Sequence, residues 1–195
     1  MLYCTVAAVA AGKTGNRAEC RMIGTTYFGE KRNIPGAYSQ KVKEVKAFLD
    51  AYGIPNEVPE DMVKKIWWKF MLNVGINEST AAFRADYGTA QNVPEIRKMT
   101  LASMREVLAI SDRAGIGLAQ SDIDGMMDLL DHMDPVGRTS MCQDVLAGRH
   151  TEIDMLAGTV IHYGKKYGVP TPVNEFLYDL IKGGEHAQEY QKKRT

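Results

Sequence analysis

The spacing of apolar and polar positions changes period once along the chain. In the first thirty or so residues, Leu2 to Ala10 and Glu19 to Phe28 are rich in Val, Thr, Tyr and Ile and flank the turn-forming run Gly12-Lys13-Thr14-Gly15-Asn16. This pattern predicts two β-strands. An isolated hairpin is marginal in water, so the strands are expected to be the edge of a larger sheet or to pair with another chain. From about Gln40 the apolar spacing becomes helical. Helices are expected at Gln40 to Tyr52, from Pro59 to about Phe83, from Pro94 to Ala114 with Gly115 as the stop, and at Ser121 to His132, Ser140 to Ala147, Thr151 to Tyr167 and Pro172 to Lys182. Each is bounded by Ser, Thr, Gly or Pro. The polar stretch from Gly183 to the basic end Lys192-Lys193-Arg194 is expected to be frayed and solvated. The expected fold class is mainly α, with strands and a linker at 1–36 and a helical domain at 37–195.

One helix departs from ordinary amphipathic patterning. The run from Ile66 to Asn77 is apolar almost all the way round, except for Lys69, Asn73 and Asn77. Four helical residues turn about 400°, so these three would drift slowly and form one polar stripe. Asn is a poor helix former, and burial disfavours a charged Lys, so the stripe costs stability. A cleft in which the amine donates to a substrate oxygen and the amides hold polar groups would account for that cost. The alternative is a lysine stem lying on apolar surface and two amides bonding neighbouring loops.

Two further segments read as helix starts. Ser140 with Gln143, and Thr151 with Asp154, have capping-box spacing, and Glu152 in a first turn would complement the helix dipole. A functional reading gives Ser140 and its neighbouring N–H groups a carboxylate to hold. His150 and His162 have no partner at ligand spacing and are read as locally hydrogen-bonded. The methionines near 126–155 are read as core filler.

Composition narrows the field. Lys plus Arg and Asp plus Glu are both 24, so no net field points to nucleic acid or an anionic membrane, and a small-molecule partner fits better. Cys4, Cys20 and Cys142 are odd in number and scattered. Neither a disulfide framework nor a metal site is expected, and the thiols read as reduced and cytoplasmic. No apolar run approaches a membrane span, and Gly12 to Gly15 match no phosphate-binding fingerprint.

Three linked runs, WWKFMLNVGINESTA, TSMCQDVLAGRHTEIDMLAG and YGVPTPVNEFLYDLI, resemble, in order and separation, the helical carboxy-terminal domain of ketopantoate reductases. The segment CRMIGTTYFGE from Cys20 to Glu30 resembles the last sheet strand of that family's nucleotide-binding domain. The resemblance implies a 6-phosphogluconate-dehydrogenase-like helical domain behind a residual edge of a truncated Rossmann domain. It also implies NADPH-dependent reduction of 2-dehydropantoate, on the route to pantothenate and coenzyme A, by a homodimer. The family's catalytic lysine falls on Lys69, its substrate-binding amides on Asn73 and Asn77, its carboxylate-holding serine on Ser140, and its hydroxyl-engaging glutamate on Glu152. The main cofactor motif has no counterpart in this sequence. Glu78 stands where the family has proline, and Tyr87-Gly88 where it has Asn-Gly. Those departures leave open a reductase of another 2-oxo acid, and loss of the cofactor domain leaves open a non-catalytic helical dimerisation module.

Overall fold

Strand-forming sequence does pair at the start of the chain, but in shorter pieces than expected. A computed structural model of the protein describes residues 1–7 and 10–194, without the side chains of residues 10–14, 21 and 22. The expected strand Leu2 to Ala10 includes Ala8 and Val9, which lie outside the described residues. On either side of them are β1 (Tyr3–Ala7) and β2 (Ala10–Thr14). The second expected strand breaks at Gly24, whose φ of 72° lies in the left-handed region where glycine carries no Cβ penalty. It becomes β3 (Arg17–Met22) and β4 (Thr25–Gly29). β2 and β3 form a hairpin, while β1 runs antiparallel to β4 from Tyr3↔Gly29 to Ala7↔Thr25.

A third strand completes the first sheet. After β4 the chain passes through helix α1 (Gln40–Ala51), started by Ser39, and returns as β5 (Asn56–Glu57), parallel to β4 with Thr26 opposite Asn56. Parallel neighbours joined by a helix form a βαβ crossover, the unit from which Rossmann sheets are built. Phe28, Val42 and Met62 are buried in this part of the chain.

The chain divides into two compact units, Met1–Lys69 and Phe70–Thr195. The first unit ends in helix α2 (Met62–Leu72), which crosses the division. Pro59 does not open this helix. Its carbonyl accepts from Asn33 Nδ2 at 2.7 Å, and Asp61 caps the helix instead, Oδ1 accepting the Val63 and Lys64 N–H groups at 3.0 and 3.1 Å.

The second unit is helical. A π-helical turn (Asn73–Asn77) interrupts the long helix expected from sequence, followed by α3 (Glu78–Phe83), α4 (Tyr87–Asn92), α5 (Pro94–Ala114) and α6 (Gln120–Asp131), and then by α7 (Ser140–Leu146), α8 (Ala157–Tyr167) and α9 (Pro172–Lys192). The 21-residue α5 is the hub, touching the π-turn, α3, α4, α6, α8 and α9. Its buried residues Ile96, Thr100, Ser103, Met104, Val107, Ile110 and Ser111 recur at helical spacing. Gly115 ends it as expected.

Three expectations are corrected here. Residues 151–156 form turns rather than the first turns of α8, because Glu185 holds Thr151 in place. The segment after Gly183 is helical to Lys192 rather than frayed, because Glu185 is buried at 8% exposure. α4, capped by Asp86, is a helix that the apolar spacing does not predict. Among the described residues no helix is long and apolar enough to cross a membrane.

Candidate active site

The regular helix gives way at Asn73–Asn77 in a segment closely packed against α5. A Cβ on Gly75 would overlap Cε and Cγ of the fully buried Met104, so only glycine lets α5 approach this backbone. The wider π-turn disturbs the i→i−4 ladder, and side-chain hydroxyls take up its carbonyls. Ser79 Oγ donates to Gly75 O at 2.7 Å, and Thr80 Oγ1 donates to Ile76 O at 2.7 Å. Asn73 and Asn77 sit at the two ends of this turn, each half-buried.

The same hydroxyls reach the next candidate. Thr80 Oγ1 lies 2.8 Å from Thr139 Oγ1, and Thr139 Oγ1 accepts the Cys142 N–H at 3.1 Å. Thr139 is therefore the N-cap of α7, the role expected of Ser140. Gln143 takes no part in a capping box and donates through Nε2 to Arg138 O. Ser140 is the first residue of α7 and is exposed. A buried hydrogen-bonded bridge, Ile76–Thr80–Thr139, thus links the Asn77 turn to the helix that carries Ser140. On the other side of the turn, Ser79 Oγ lies 2.6 Å from Thr100 Oγ1 of α5.

Glu152 is exposed on the turn before α8. Thr151 donates through its backbone N–H and Oγ1 to Glu185 Oε1 at 2.7 and 2.8 Å, and Glu152 O accepts from Met155 and Leu156. The Thr151/Asp154 capping box does not form. Asp154 instead accepts from Tyr178 OH at 2.8 Å and pairs with Lys182 at 2.6 Å, and that pairing lowers its pKa and raises that of Lys182. Lys69 lies on α2, half-buried and with interaction partners of its own. The structure ties Asn77 and Ser140 together through the hydroxyl bridge; it does not make Glu152 part of a helix.

Two positions where the sequence departs from the family have evident structural roles. Glu78 is fully buried with neither carboxyl oxygen hydrogen-bonded. Burial, reinforced by the Glu106 charge and offset only in part by the Ala157 N–H, pushes its pKa well above the ordinary carboxylate value. Tyr87 and Gly88 pin the loop before α7, their N–H groups donating to Gly137 O at 2.9 Å and Pro135 O at 2.7 Å. Burial also raises the pKa of the Tyr87 hydroxyl.

The hydroxyl bridge and Glu185 are not predicted by the sequence patterns. Ser79-Thr80, directly after an apolar run, is the available signal for the first; a carboxylate beyond a Gly-Gly pair gives none for the second. Among the described residues no group of three or more His, Cys, Asp or Glu is placed to hold a metal ion. Gly12–Gly15 belong to the β2–β3 hairpin and not to a strand-to-helix turn.

Comparison with known proteins agrees with the fold. The family model described as "Ketopantoate reductase PanE/ApbA C terminal" matches residues 61–185. The chain is similar to a 2-dehydropantoate 2-reductase from Pyrobaculum aerophilum, 30% identical over 173 residues, covering 89% of this chain and 58% of that protein. It thus spans under two thirds of that relative's length. Its fold is similar to that of a dimeric ketopantoate reductase from Staphylococcus aureus, with a TM-score of 0.80 at 17% identity, covering 94% of this chain and 62% of the other. It is equally similar to a D-mandelate dehydrogenase solved with NADH and anilino(oxo)acetate, with a TM-score of 0.81 at 22% identity, covering 92% and 58%. The match over 61–185 takes in every candidate residue from Lys69 to Glu152, and the chain belongs to the ketopantoate reductase family.

Proposed function

We propose that this chain supplies the substrate side of an NADPH-dependent 2-dehydropantoate 2-reductase, serving pantothenate and coenzyme A synthesis. The observation that carries the proposal is the family match across residues 61–185, which includes all five candidate residues. In this reading residues 1–36 are an edge of the nucleotide-binding domain, and 37–195 form the substrate-binding and dimerisation domain of a homodimer. The described residues do not form the dinucleotide site, so no step involving the hydride donor is assigned to them.

Reduction of a keto group leaves negative charge on its oxygen, and a cation placed there stabilises that charge strongly in a dry site. Lys69 takes this role, passing a proton to the oxygen as hydride reaches the carbon, so that C=O becomes CH–OH. Asn73 and Asn77 bind the substrate's polar groups, Ser140 holds its carboxylate and Glu152 engages its hydroxyl end. The hydroxyl bridge supports this assignment, because it fixes Asn77 and Ser140 within one packed unit.

The decisive experiment follows NADPH consumption with 2-dehydropantoate by the protein carrying this chain. Lys69→Ala should lower kcat by about 10²- to 10⁴-fold, as for loss of a general acid, with a smaller change in KM. An unchanged kcat removes Lys69 from the mechanism. A second reading, reduction of a different 2-oxo acid, is favoured by Glu78 and Tyr87 at the departing positions. The fold alone does not choose, since the mandelate dehydrogenase aligns as well as the ketopantoate reductase. Faster turnover of an aryl 2-oxo acid than of 2-dehydropantoate would select it.

A further inference from the structure

Away from the five candidate residues, the second unit contains a cleft of about 190 Å³ where the C-terminal ends of α3 and α7 meet the outer half of α9. Ala81, Val145, Leu180 and Ile181 give it apolar walls, and Arg84 and Arg149 bring cations to it.

Arg84 is unusual in backbone and side chain. With φ 52° and ψ 34° it is left-handed and directly follows α3, at the position where glycine or asparagine is the usual cap. For a residue with a Cβ this conformation is strained, and glycine would relieve the strain. The cap needs nothing from the side chain, because the Arg84 backbone N–H makes the closing bond to Ala81 O. Three other arginines of this unit are paired, Arg97 with Asp131, Arg138 with Asp86 and Arg149 with Asp144. Arg84 is exposed and lines the cleft, and its guanidinium has no ion pair or hydrogen bond among the described residues, so its donors are available to a ligand there. An observed strained residue with an unspent functional group is a reason to look for a ligand.

The neighbours favour an anion. Arg149 engages Asp144 through Nε and Nη2, at 2.8 and 2.7 Å, and keeps its other terminal nitrogen. Glu185 is the carboxylate at the cleft, and it is saturated. Thr151 N and Oγ1 donate to one oxygen, while His150 and Lys182 Nζ meet the other. Its charge is therefore offset within the protein, as that of Arg149 is by Asp144, leaving Arg84 to set the sign of the cleft and Arg149 to add a further donor.

We propose that this cleft binds a short branched aliphatic carboxylate, the carboxylate held by the Arg84 and Arg149 forks and the aliphatic body resting on the Ala81, Val145, Leu180 and Ile181 walls. Guanidinium recognises carboxylate and phosphate alike, but only a ligand with an apolar body uses the walls. The volume is below the roughly 300 Å³ at which drug-sized sites begin, so the ligand has few heavy atoms. None of the five candidate active-site residues lines the cleft, and the proposal stands whether or not the chain reduces 2-dehydropantoate.

Isovalerate titrated into the full chain, followed in ¹H–¹⁵N spectra, tests it. Saturable shifts should centre on Ala81, Arg84, Arg149 and Leu180. Arg84→Gly should melt at a higher temperature, because the strain is gone, yet bind isovalerate at least tenfold more weakly. Arg149→Ala, at an unstrained position, should weaken binding likewise. The proposal is overturned by an absence of saturable shifts at the cleft, by wild-type affinity in Arg84→Gly, or by inorganic phosphate binding as tightly as isovalerate.

Discussion

Glu78 and Glu185 are both buried in the helical unit, at 0% and 8% exposure, and their surroundings act on them in opposite directions. At Glu185, burial alone would raise the pKa. The Thr151 amide and hydroxyl, His150 and Lys182 all donate to the carboxylate, and together they hold it below the ordinary value. At Glu78 burial and the like charge of Glu106 are opposed only by the Ala157 N–H, so the carboxyl is held well above it. Glu106 cannot relieve Glu78, since its own oxygens cap α9 by accepting from the Val173 and Asn174 N–H groups at 2.8 and 3.0 Å. Burial is common to the two sites; the supply of donors decides whether a buried carboxyl's pKa moves down or up from its ordinary value.

The largest effect should come from breaking the satisfied site. Glu185→Ala leaves the Thr151 N–H without its acceptor, takes from Lys182 one of its two carboxylate partners and frees the turn carrying Glu152, at an expected cost of about 3 kcal/mol in denaturant unfolding. The outer part of α9 should also lose amide-exchange protection. A cost under about 1 kcal/mol would mean that the network is incidental.

Replacing the unsatisfied carboxyl should act in the opposite sense. Glu78→Met is expected to raise stability at pH 8 by about 2 kcal/mol, because it removes an unpaired buried polar group of similar size. The pH profile sharpens the contrast. Glu78 has a folded pKa above its unfolded value near 4.5, so the native state binds more protons, and stability falls as pH rises from about 4.5 toward the folded value. Glu185 has a folded pKa below 4.5, so its contribution is present above that pH and is lost as pH falls through the folded value. Glu78→Gln should flatten the first slope and leave the second. Thermal unfolding at a series of pH values reads both, and a slope that persists above pH 4.5 in Glu78→Gln would assign it to another group.

A smaller effect should follow at Thr139, a buried polar residue whose bonds are met by neutral partners. Thr139→Ala removes the α7 cap and the bond to Thr80, at an expected cost of about 1 kcal/mol. If the bridge positions Ser140, KM for the 2-oxo acid should rise more than kcat falls, and Thr139→Ser should restore it.

Helical periodicity locates α1 and α5 almost to the residue, because Gln40–Ala51 and Pro94–Ala114 combine an apolar stripe with local start or stop signals. Local chemistry misleads where a distant residue intervenes. Pro59 and Ser140 are common helix-start residues, but Asp61 and Thr139 do the capping. Thr151/Asp154 has capping-box spacing, but Glu185 takes Thr151. The three-residue polar pattern of Lys69, Asn73 and Asn77 is visible in the sequence, whereas the π-turn between Asn73 and Asn77 and the close approach of Met104 to Gly75 from another helix are not.

By itself, the sequence determined the mainly helical class behind a short β region, the main helices such as α1 and α5, the family, and the residues offered for chemistry, through periodicity and short-range motifs. Only the tertiary structure decided how those residues are held. It packed Met104 against Gly75 in the π-turn, joined the Asn77 turn to the Ser140 helix through Thr80 and Thr139, and shifted two buried glutamates in opposite directions. Hydrogen-bond donors and close contacts from residues far apart in the chain determine backbone register and charge state, and no local window of sequence contains them.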